Sequence, residues 1–456
     1  MQTPEQIIIE SLKDIIDLLV KENQQLKLRM TALEQQLARF TTRKDSNNSS
    51  IPPSKDENRP KRTNSLREKS DRKVGGQPGH EGKTLEMTSN PDEIIDHRSC
   101  FCPHCGTSVS DLPSEVAEKR QVIDVPVIRQ IVTEHRVYQY RCTCGQVFES
   151  DFPEGVEWPV SYGANLTSLI GYFNVRHYLP FKRTQEMMRD VFGVLISEGG
   201  LHCLLNRLAT KGTTAYEMIR QMVFNSPVIG TDETGMKVDG KKHWFWTWQS
   251  KVATFIAASS NRGTRTIEEN TAGISDNAVL VHDCWKAHFK TPVGKHQLCT
   301  VHLVRELKYL EELYKVAWPV RFRVMLLEAE ELKKRFSPTD YLCPNHGRSL
   351  LEKELDSLLN EAIETQYEEL VVFQKRMVKY KNHVFTFLYD PAVPSHNNDS
   401  ERAIRNVKVK QKISGQFKTM FAAESFAILR SIIDTAIKNK QDVLPALNVI
   451  AHYKRD

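Results

Sequence analysis

The sequence of 456 residues has none of the long apolar runs that membrane spans require. No stretch approaches the roughly 18 uncharged apolar residues of a membrane helix, and no basic segment followed by an apolar stretch and a cleavage site opens the chain. The nine cysteines fall partly in close pairs, which is typical of metal ligation in a reducing compartment. We therefore expect a cytoplasmic protein with neither disulfides nor a membrane partner.

A strong excess of one charge sign is also missing, because 63 basic and 57 acidic side chains leave a net charge of +6. Most of that excess lies between Arg43 and Lys83, where eleven basic and six acidic residues give a local +5. A basic segment of this kind suits a polyanion such as DNA. The alternative is a linker that its charge keeps solvated.

Residues 5–40 carry an unbroken heptad repeat with two apolar rows. The rows are Ile9, Ile16, Asn23, Met30 and Leu37, and Leu12, Leu19, Leu26, Leu33 and Phe40. Leucine in the second row and a single polar Asn23 in the first favour two parallel helices in a fixed register. We expect a coiled-coil homodimer; one amphipathic helix packed on its own domain is the alternative.

A change of composition follows the heptads. Residues 41–90 are rich in Ser, Asn, Pro, Gly and charge, as in SNNSSIPPSKD (46–56) and GGQPGHEGK (75–83), which predicts an extended linker. Short β-like runs then occupy 122–127 and 129–142. These runs predict a small β domain.

Two Cys-Gly turns lie at opposite ends of this β-rich segment. Their thiols belong to Cys102, Cys105, Cys142 and Cys144. Four thiolates at such turns suit a structural zinc ion, which predicts a zinc-binding domain over 91–155. The second pair is one residue tighter than the usual spacing, so Cys100 or His104 could replace one of the ligands.

Residues 156–222 predict a helical region. Three short helices fit 161–211, the second ended by Gly193 and the third begun by Ser197. Helix, break and helix at this spacing permit a helix-turn-helix unit that binds DNA. Three packed helices without a DNA role are the alternative.

Apolar strands take over after Asn225. Runs at 227–232, 243–249 and 252–259 predict an antiparallel meander, and a helical stretch separates them from a fourth strand at 278–283. From His296 to about Leu388 the sequence is charged and helical. A last helical region starts near Asn398.

Three acidic residues lie at the ends of these predicted strands and helices. Asp232 and Asp283 each end a predicted strand, and Glu401 opens the late helix. Either aspartate alone would suit a turn cap, but meander, helix, fourth strand and late helix follow the order of an RNase H-like sheet. There the acids would hold two magnesium or manganese ions about 4 Å apart, which activate the nucleophile and steady the leaving 3′ oxygen.

A basic stripe continues from Glu401 along the same helix. It comprises Arg402, Arg405, Lys408, Lys410 and Lys412. Such residues would bind the phosphates that flank the cleaved bond. A solvated helix face is the alternative.

These motifs resemble those of the transposases of insertion sequence family sixty-six over essentially the whole chain. Besides the zipper and the cysteine turns, the resemblance is carried by VIGTDET (228–234), VHDCWKAHF (281–289), HQLCTVHLVREL (296–307) and NNDSERAIR (397–405). It implies a zinc domain, a DDE core with a helical insertion, and catalytic acids at Asp232, Asp283 and Glu401. Family members commonly have Ala where this chain has Ser400, and they often require small accessory proteins from the same element.

The resemblance also covers a Cys-x-x-His signature, here Cys299 and His302. Two residues three apart on a helix share a side, which favours packing or positioning near the acids. A second zinc site is the alternative, since Cys343 and His346 repeat the spacing.

We therefore predict a multidomain α+β DNA transposase, bacterial and nucleoid-associated, that cleaves element ends and joins their 3′ ends to target DNA. The predicted segments are a coiled coil (5–40), a linker (41–90), a zinc domain (91–155), a helical DNA-binding region (156–222), an RNase H-like core (223–295 and 389–440), a helical insertion (296–388) and a tail (441–456). A DNA-binding regulator without catalysis and a nuclease without strand joining are the competing functions.

Overall fold

The computed structural model describes residues 4–45, 48–49, 85–153 and 156–453, with the backbone alone at 4–11. Most of the predicted linker therefore lies outside the described residues. The chain divides into two compact units, residues 61–131 and residues 1–60 with 132–456. No helix among the described residues is long and apolar enough to cross a membrane.

One long helix, α1 (Pro4–Thr41), covers the heptad segment. From Leu12 onward most of its apolar side chains are exposed in the single chain, with Leu26 61% and Leu33 65% accessible. Only its C-terminal end packs, where Ala38 contacts a second apolar core formed by later helices. The helix is confirmed, and its pairing into a coiled coil stays a prediction.

The cysteine segments have little regular structure. Strands β1 (Gln139–Arg141) and β2 (Val147–Glu149) form a short antiparallel hairpin around the second cysteine pair. The run 122–127 pairs with no strand among the described residues, so its predicted β structure is wrong. Its apolar side chains are almost fully exposed, as Val122 and Val127 show, so no packing selects a strand there.

Four helices precede the large sheet: α2 (Ala164–Gly171), α3 (Phe181–Phe192), α4 (Glu198–Lys211) and α5 (Thr213–Phe224). A π-helical turn extends α2, and Ser197 Oγ caps α4 by accepting from Gly200 N at 3.0 Å. The three predicted helices are thus present. Their apolar faces share one hydrophobic core with the sheet.

The large sheet has five strands in the order β5-β4-β3-β6-β7. They are β3 (Val228–Val238), β4 (Lys241–Gln249), β5 (Thr254–Ser259), β6 (Val279–His282) and β7 (Lys295–Leu298). The first three form the predicted antiparallel meander, and β6 and β7 lie parallel to β3 on its other side. Helix α6 (Thr264–Asn270) connects β5 to β6.

The fifth strand corrects the sequence prediction, which had helix from His296. Lys295–Leu298 pairs parallel to β6 through its whole length, and three of its four residues are buried. So short a strand runs directly into the next helix, and its sequence has no alternation that would have marked it. The interrupting helices thus begin only at Thr300.

Those helices are α7 (Thr300–Tyr314), α8 (Ala317–Arg335), α9 (His346–Asn360) and α10 (Glu368–Tyr380). Together with part of β6 they bury the second apolar core. The end of α1 is fastened to this body, since Arg39 Nη2 donates to Glu368 Oε2 at 2.7 Å.

Three helices complete the fold: α11 (Asn398–Ser414), α12 (Met420–Lys438) and α13 (Val443–His452). Helix α12 packs on β5, α4 and α5, and α13 packs on α2. The predicted C-terminal tail therefore contains a helix that closes the core. Leu447 and Ala451, four residues apart on one face, are its buried contacts.

Candidate active site

Asp232 lies where β3 changes partners. The strand pairs with β6 only from Val228 to Gly230, while its pairing with β4 continues to Val238. Asp232 is therefore inside the strand, which corrects the predicted position at its end. The parallel partner stops first, so β3 has no pairing with β6 at Asp232; we call this position, where β6 leaves β3, the notch.

Asp283 directly follows the last residue of β6, so it emerges at the same end of the parallel pair. Its Oδ1 accepts a hydrogen bond from Trp285 N at 3.0 Å. His288 Nε2 lies 3.5 Å from the same oxygen. The predicted strand-end position of Asp283 is confirmed, and two neighbours orient its carboxylate.

Glu401 approaches these aspartates because α11 packs closely on β3. A β-carbon placed on Gly230 would lie only 2.5 Å from Ser400 Oγ and 2.9 Å from Asn397 Oδ1, so glycine is required for this approach. Asn397 Nδ2 donates to Thr231 O at 2.6 Å, beside Asp232. The first turn of α11 is thereby fixed against the strand that carries the first acid.

The Cys-x-x-His pair lies on the other side of that turn. Cys299 is buried, and its Sγ accepts from Asn397 N at 3.2 Å. His302 Nε2 lies 3.7 Å from Glu401 Oε1, a buried oxygen that has no hydrogen-bond partner among the described residues. The pair thus contacts the segment and the side chain of the third acid.

Charge repulsion and burial dominate the electrostatics of this site. Burial, with the negative charges of Glu233 and Asp283, raises the pKa of Asp232 to about 8. Burial opposes a charge on His302, but its hydrogen bond with Cys299 and the charges of Asp283 and Glu401 raise its pKa to about 9. Because these carboxylates repel one another, a cation bound between them would be stabilised by their negative charges.

The donor set fits magnesium or manganese, because these ions prefer carboxylate oxygens and Glu401 presents a buried one that has no partner in the part of the chain described here. Asp232, Asp283 and Glu401 are the residues that would hold such ions. In the part of the chain that the structure describes, no three His, Cys, Asp or Glu side chains are grouped closely enough to hold a metal ion.

Sequence reasoning missed a second layer of residues around the acids. Glu233 is almost fully buried; its Oε2 lies 3.2 Å from His288 Nε2, and its Oε1 accepts from Arg262. Burial opposes a charge on His288, yet Glu233 raises its pKa. Glu233 belongs to the motif VIGTDET and His288 to the motif VHDCWKAHF, but only the fold shows that these two side chains contact each other.

The alternative second zinc site involves residues in different environments. Cys299 is buried, whereas Cys343 and His346 are exposed at the start of α9. His302 faces Glu401. These contacts favour the positioning role for Cys299 and His302.

The basic stripe on α11 divides into two sets. Arg402, Arg405 and Lys412 are exposed. Lys410 is buried, and its Nζ donates to Asn174 Oδ1 at 3.1 Å, so its predicted contact with DNA is wrong. Residue 410 faces the π-helical turn that follows α2 (Tyr172–Arg176), which contains Asn174, and burial lowers the pKa of Lys410 to about 8.

Lys408 occupies an intermediate position, partly buried. Its Nζ donates to Gly235 O at 2.7 Å, on β3. This contact anchors the stripe to the strand that carries Asp232.

Each predicted cysteine turn is a backbone loop closed by hydrogen bonds. Gly106 N donates to Cys102 O, and Gly145 N donates to Cys142 O. Both glycines have positive φ, 76° and 90°, as the predicted turn requires. A hydrogen bond with Thr107 lowers the pKa of the Cys105 thiol to about 7, and hydrogen bonds with Cys144 lower that of Cys142. Lowered thiol pKa values and paired sulfurs fit zinc.

Comparisons with known families cover most of the chain. The profile of the transposase IS66 family matches residues 159–425, and that of the zinc-finger binding domain of transposase IS66 matches residues 99–145. A family of unknown function, DUF6444, matches residues 2–86. No curated protein matches the chain. Since the first of these matches spans the sheet, the acid-bearing segments and the interrupting helices, the chain belongs to the IS66 family of transposases.

Proposed function

We propose that this transposase cleaves the ends of its element and joins their 3′ ends to target DNA in an RNase H-like core. Asp232, Asp283 and Glu401 are its catalytic carboxylates. The observation that carries the proposal is the convergence of their three segments on the notch where β6 leaves β3. The strand order, with three antiparallel strands followed by two parallel ones, supports the same core.

The protein side chains have separable roles in this reaction. Asp232 and Asp283 supply oxygen ligands from the rigid sheet, and Glu401 supplies one from α11. Bound magnesium ions would activate the attacking oxygen and stabilise the leaving 3′ oxygen. His302, whose pKa is about 9, keeps a positive charge beside Glu401 and orients that carboxylate.

Other parts of the chain bind DNA or assemble the enzyme in this proposal. Arg402, Arg405 and Lys412 contact phosphates near the notch. Cys102, Cys105, Cys142 and Cys144 hold one zinc ion, and α1 pairs with α1 of a second copy. We propose action at the bacterial nucleoid, with accessory proteins of the element as further partners.

A labelled-end assay tests the catalytic assignment. A preformed complex with end DNA receives magnesium, and 3′-hydroxyl release and joining to plasmid are followed together. We expect cleavage to slow by more than roughly 100-fold in each of Asp232→Asn, Asp283→Asn and Glu401→Gln. Loss of a residue that merely supports a metal ligand costs up to about 100-fold, and loss of the ligand itself should cost more. Binding of end DNA should be retained.

Asp276→Asn is the matched control, because Asp276 is an exposed acid before the opposite end of β6. It should cleave at the parent's rate. If Glu401→Gln cut as fast as the parent, the third acid would lie elsewhere. Cleavage without joining would favour the nuclease, and binding without cleavage by the parent would favour the regulator.

A further inference from the structure

Arg262, in the loop between β5 and α6, is held in an unusual setting. Its Nε and Nη2 both donate to Glu233 Oε1, at 3.0 and 2.7 Å. Its guanidinium lies over the rings of Trp244, at 4.9 Å from the ring centre, and Trp285, at 4.5 Å. One ion pair and two aromatic faces thus fix a side chain that would otherwise lose much rotamer freedom on binding a ligand.

Two of the three residues that hold Arg262, Glu233 and Trp285, belong to the segments that carry the first two acids. Glu233 directly follows Asp232, and Trp285 N donates to Asp283 Oδ1 at 3.0 Å. Arg262 therefore lies at the rim of the proposed catalytic notch. Lys242 continues the cationic surface outward, with its Nζ 4.8 Å from the centre of the Trp244 ring.

Neutralising Glu233 does not account for this arrangement. The carboxylate already has a second partner, since His288 Nε2 lies 3.2 Å from Glu233 Oε2. The Arg262 side chain remains 44% exposed, and its Nη1 has no protein acceptor among the described residues. An arginine needed only as a buried counter-ion would not keep one edge of its fork directed to solvent.

We propose that Arg262 binds a backbone phosphate of the DNA strand that crosses Asp232 and Asp283. The inference rests on the proposed function and adds one residue to it. A fixed guanidinium beside the acids would set the position of the strand relative to the carboxylates. Arg262 is thus a positioning residue that acts through a phosphate, with no part in the bond rearrangement.

End DNA carrying one neutral methylphosphonate at each position in turn tests this contact. Each substituted DNA is cleaved by the parent and by Arg262→Ala under single-turnover conditions. For the parent, we expect one position near the cleaved bond to slow cleavage by roughly 10- to 100-fold, as loss of a charge-assisted hydrogen bond would. In Arg262→Ala that position should carry no further penalty, because its partner is already missing.

Two variants separate this contact from a structural role. Arg262→Lys keeps the charge without the planar fork and should recover only part of the rate. Arg265→Ala is the matched control: Arg265 is exposed on the same segment and pairs with Glu269. It should keep the parent's rate and the parent's methylphosphonate profile.

The proposal is overturned if Arg262→Ala cleaves unmodified DNA at the parent's rate. It is also overturned if every methylphosphonate penalty persists in that variant, since Arg262 would then only support the fold. Asp232→Asn separates the two levels of inference. If Asp232→Asn also cleaved DNA at the parent's rate, the proposed function itself would fail. The phosphate contact would still be tested by comparing the affinities of the parent and Arg262→Ala for the methylphosphonate DNAs.

Discussion

The acid-bearing sheet and the segments before residue 150 are stabilised in opposite ways. Trp246, in the sheet, is fully buried, whereas Leu33 of α1 and Val122 of the cysteine region are 65% and 92% exposed in the single chain. Burial of apolar area is the main favourable contribution to folding. The sheet therefore holds its own geometry. For the N-terminal segments, the proposed partners (a second helix, a metal ion or DNA) would supply the contacts that their exposed side chains lack in the single chain.

The largest expected effect is on the cysteine segments. Cys142→Ser, or a zinc chelator, should abolish amide protection around residues 139–149 and release the metal measured by elemental analysis. Protection of β3 and β6 should be unchanged, because their buried side chains lie in two apolar cores that include none of residues 139–149. Loss of protection in the sheet on chelation would contradict the comparison.

Among the residues that pack against the sheet, Asn397 at the start of α11 should matter most. Asn397→Ala removes the donor to Thr231 O and should lower the free energy of unfolding by about 1 to 3 kcal/mol. It should also slow cleavage, since the first turn of α11 loses its fixed position. Denaturant unfolding and the labelled-end assay measure the two effects. Asn398→Ala, one residue on and only partly buried at the same turn, is the control.

Two lysines on α11 allow a buried side chain, Lys410, to be compared with an exposed one, Lys412. Lys412→Met should weaken end binding and reduce the salt slope of the affinity by about 1. Lys410→Met should leave that slope unchanged, because Lys410 donates to Asn174 inside the protein. An equal change of slope in both variants would contradict the division of the stripe.

Lys410 should instead influence stability through pH. Its pKa is about 8 in the folded protein, below the ordinary value of 10.5, so unfolding takes up a proton between these values. The stability that this group contributes is therefore present above pH 10.5 and is lost as the pH falls through about 8. The difference in the free energy of unfolding between the parent and Lys410→Met should therefore change in favour of the parent as the pH rises from 7 to 10.

For α1, Asn23→Ile should raise the stability of a helix pair and permit other oligomers. Sedimentation at micromolar concentration measures this. A monomeric parent without DNA would remove the proposed coiled coil.

The smallest effect is expected at Ser400, whose buried hydroxyl has no hydrogen-bond partner within the described ranges of the chain. Ser400→Ala should raise the free energy of unfolding by roughly 1 kcal/mol, because an unsatisfied polar atom is removed. Thermal denaturation checks the sign. A destabilised Ser400→Ala would show that the hydroxyl has a partner that the contacts do not reveal.

Local signals explain which features the sequence could predict. Ser197 caps α4 and glycines close both cysteine turns, since these choices depend on a few neighbouring residues. Burial of Lys410 depends on Asn174, more than 200 residues away, and the Glu233–His288–Arg262 contacts join three distant segments. Strand β7 was missed because only its pairing with β6 distinguishes it from the helix that follows.

Helix α13 packs on α2, and this has a consequence for the segment from α2 to α13, which we call the catalytic unit. Asn448 Nδ2 donates to Asn165 Oδ1 at 2.9 Å, and Lys211 Nζ donates to Ala451 O at 2.8 Å, so the first and last helices of the unit lie side by side. The family match ends at residue 425, inside α12, and a fragment cut there would lose the helix that closes the core. Domains whose ends lie together tolerate circular permutation. A short linker from residue 453 to residue 163 should therefore allow the chain to be opened at a surface turn and still fold.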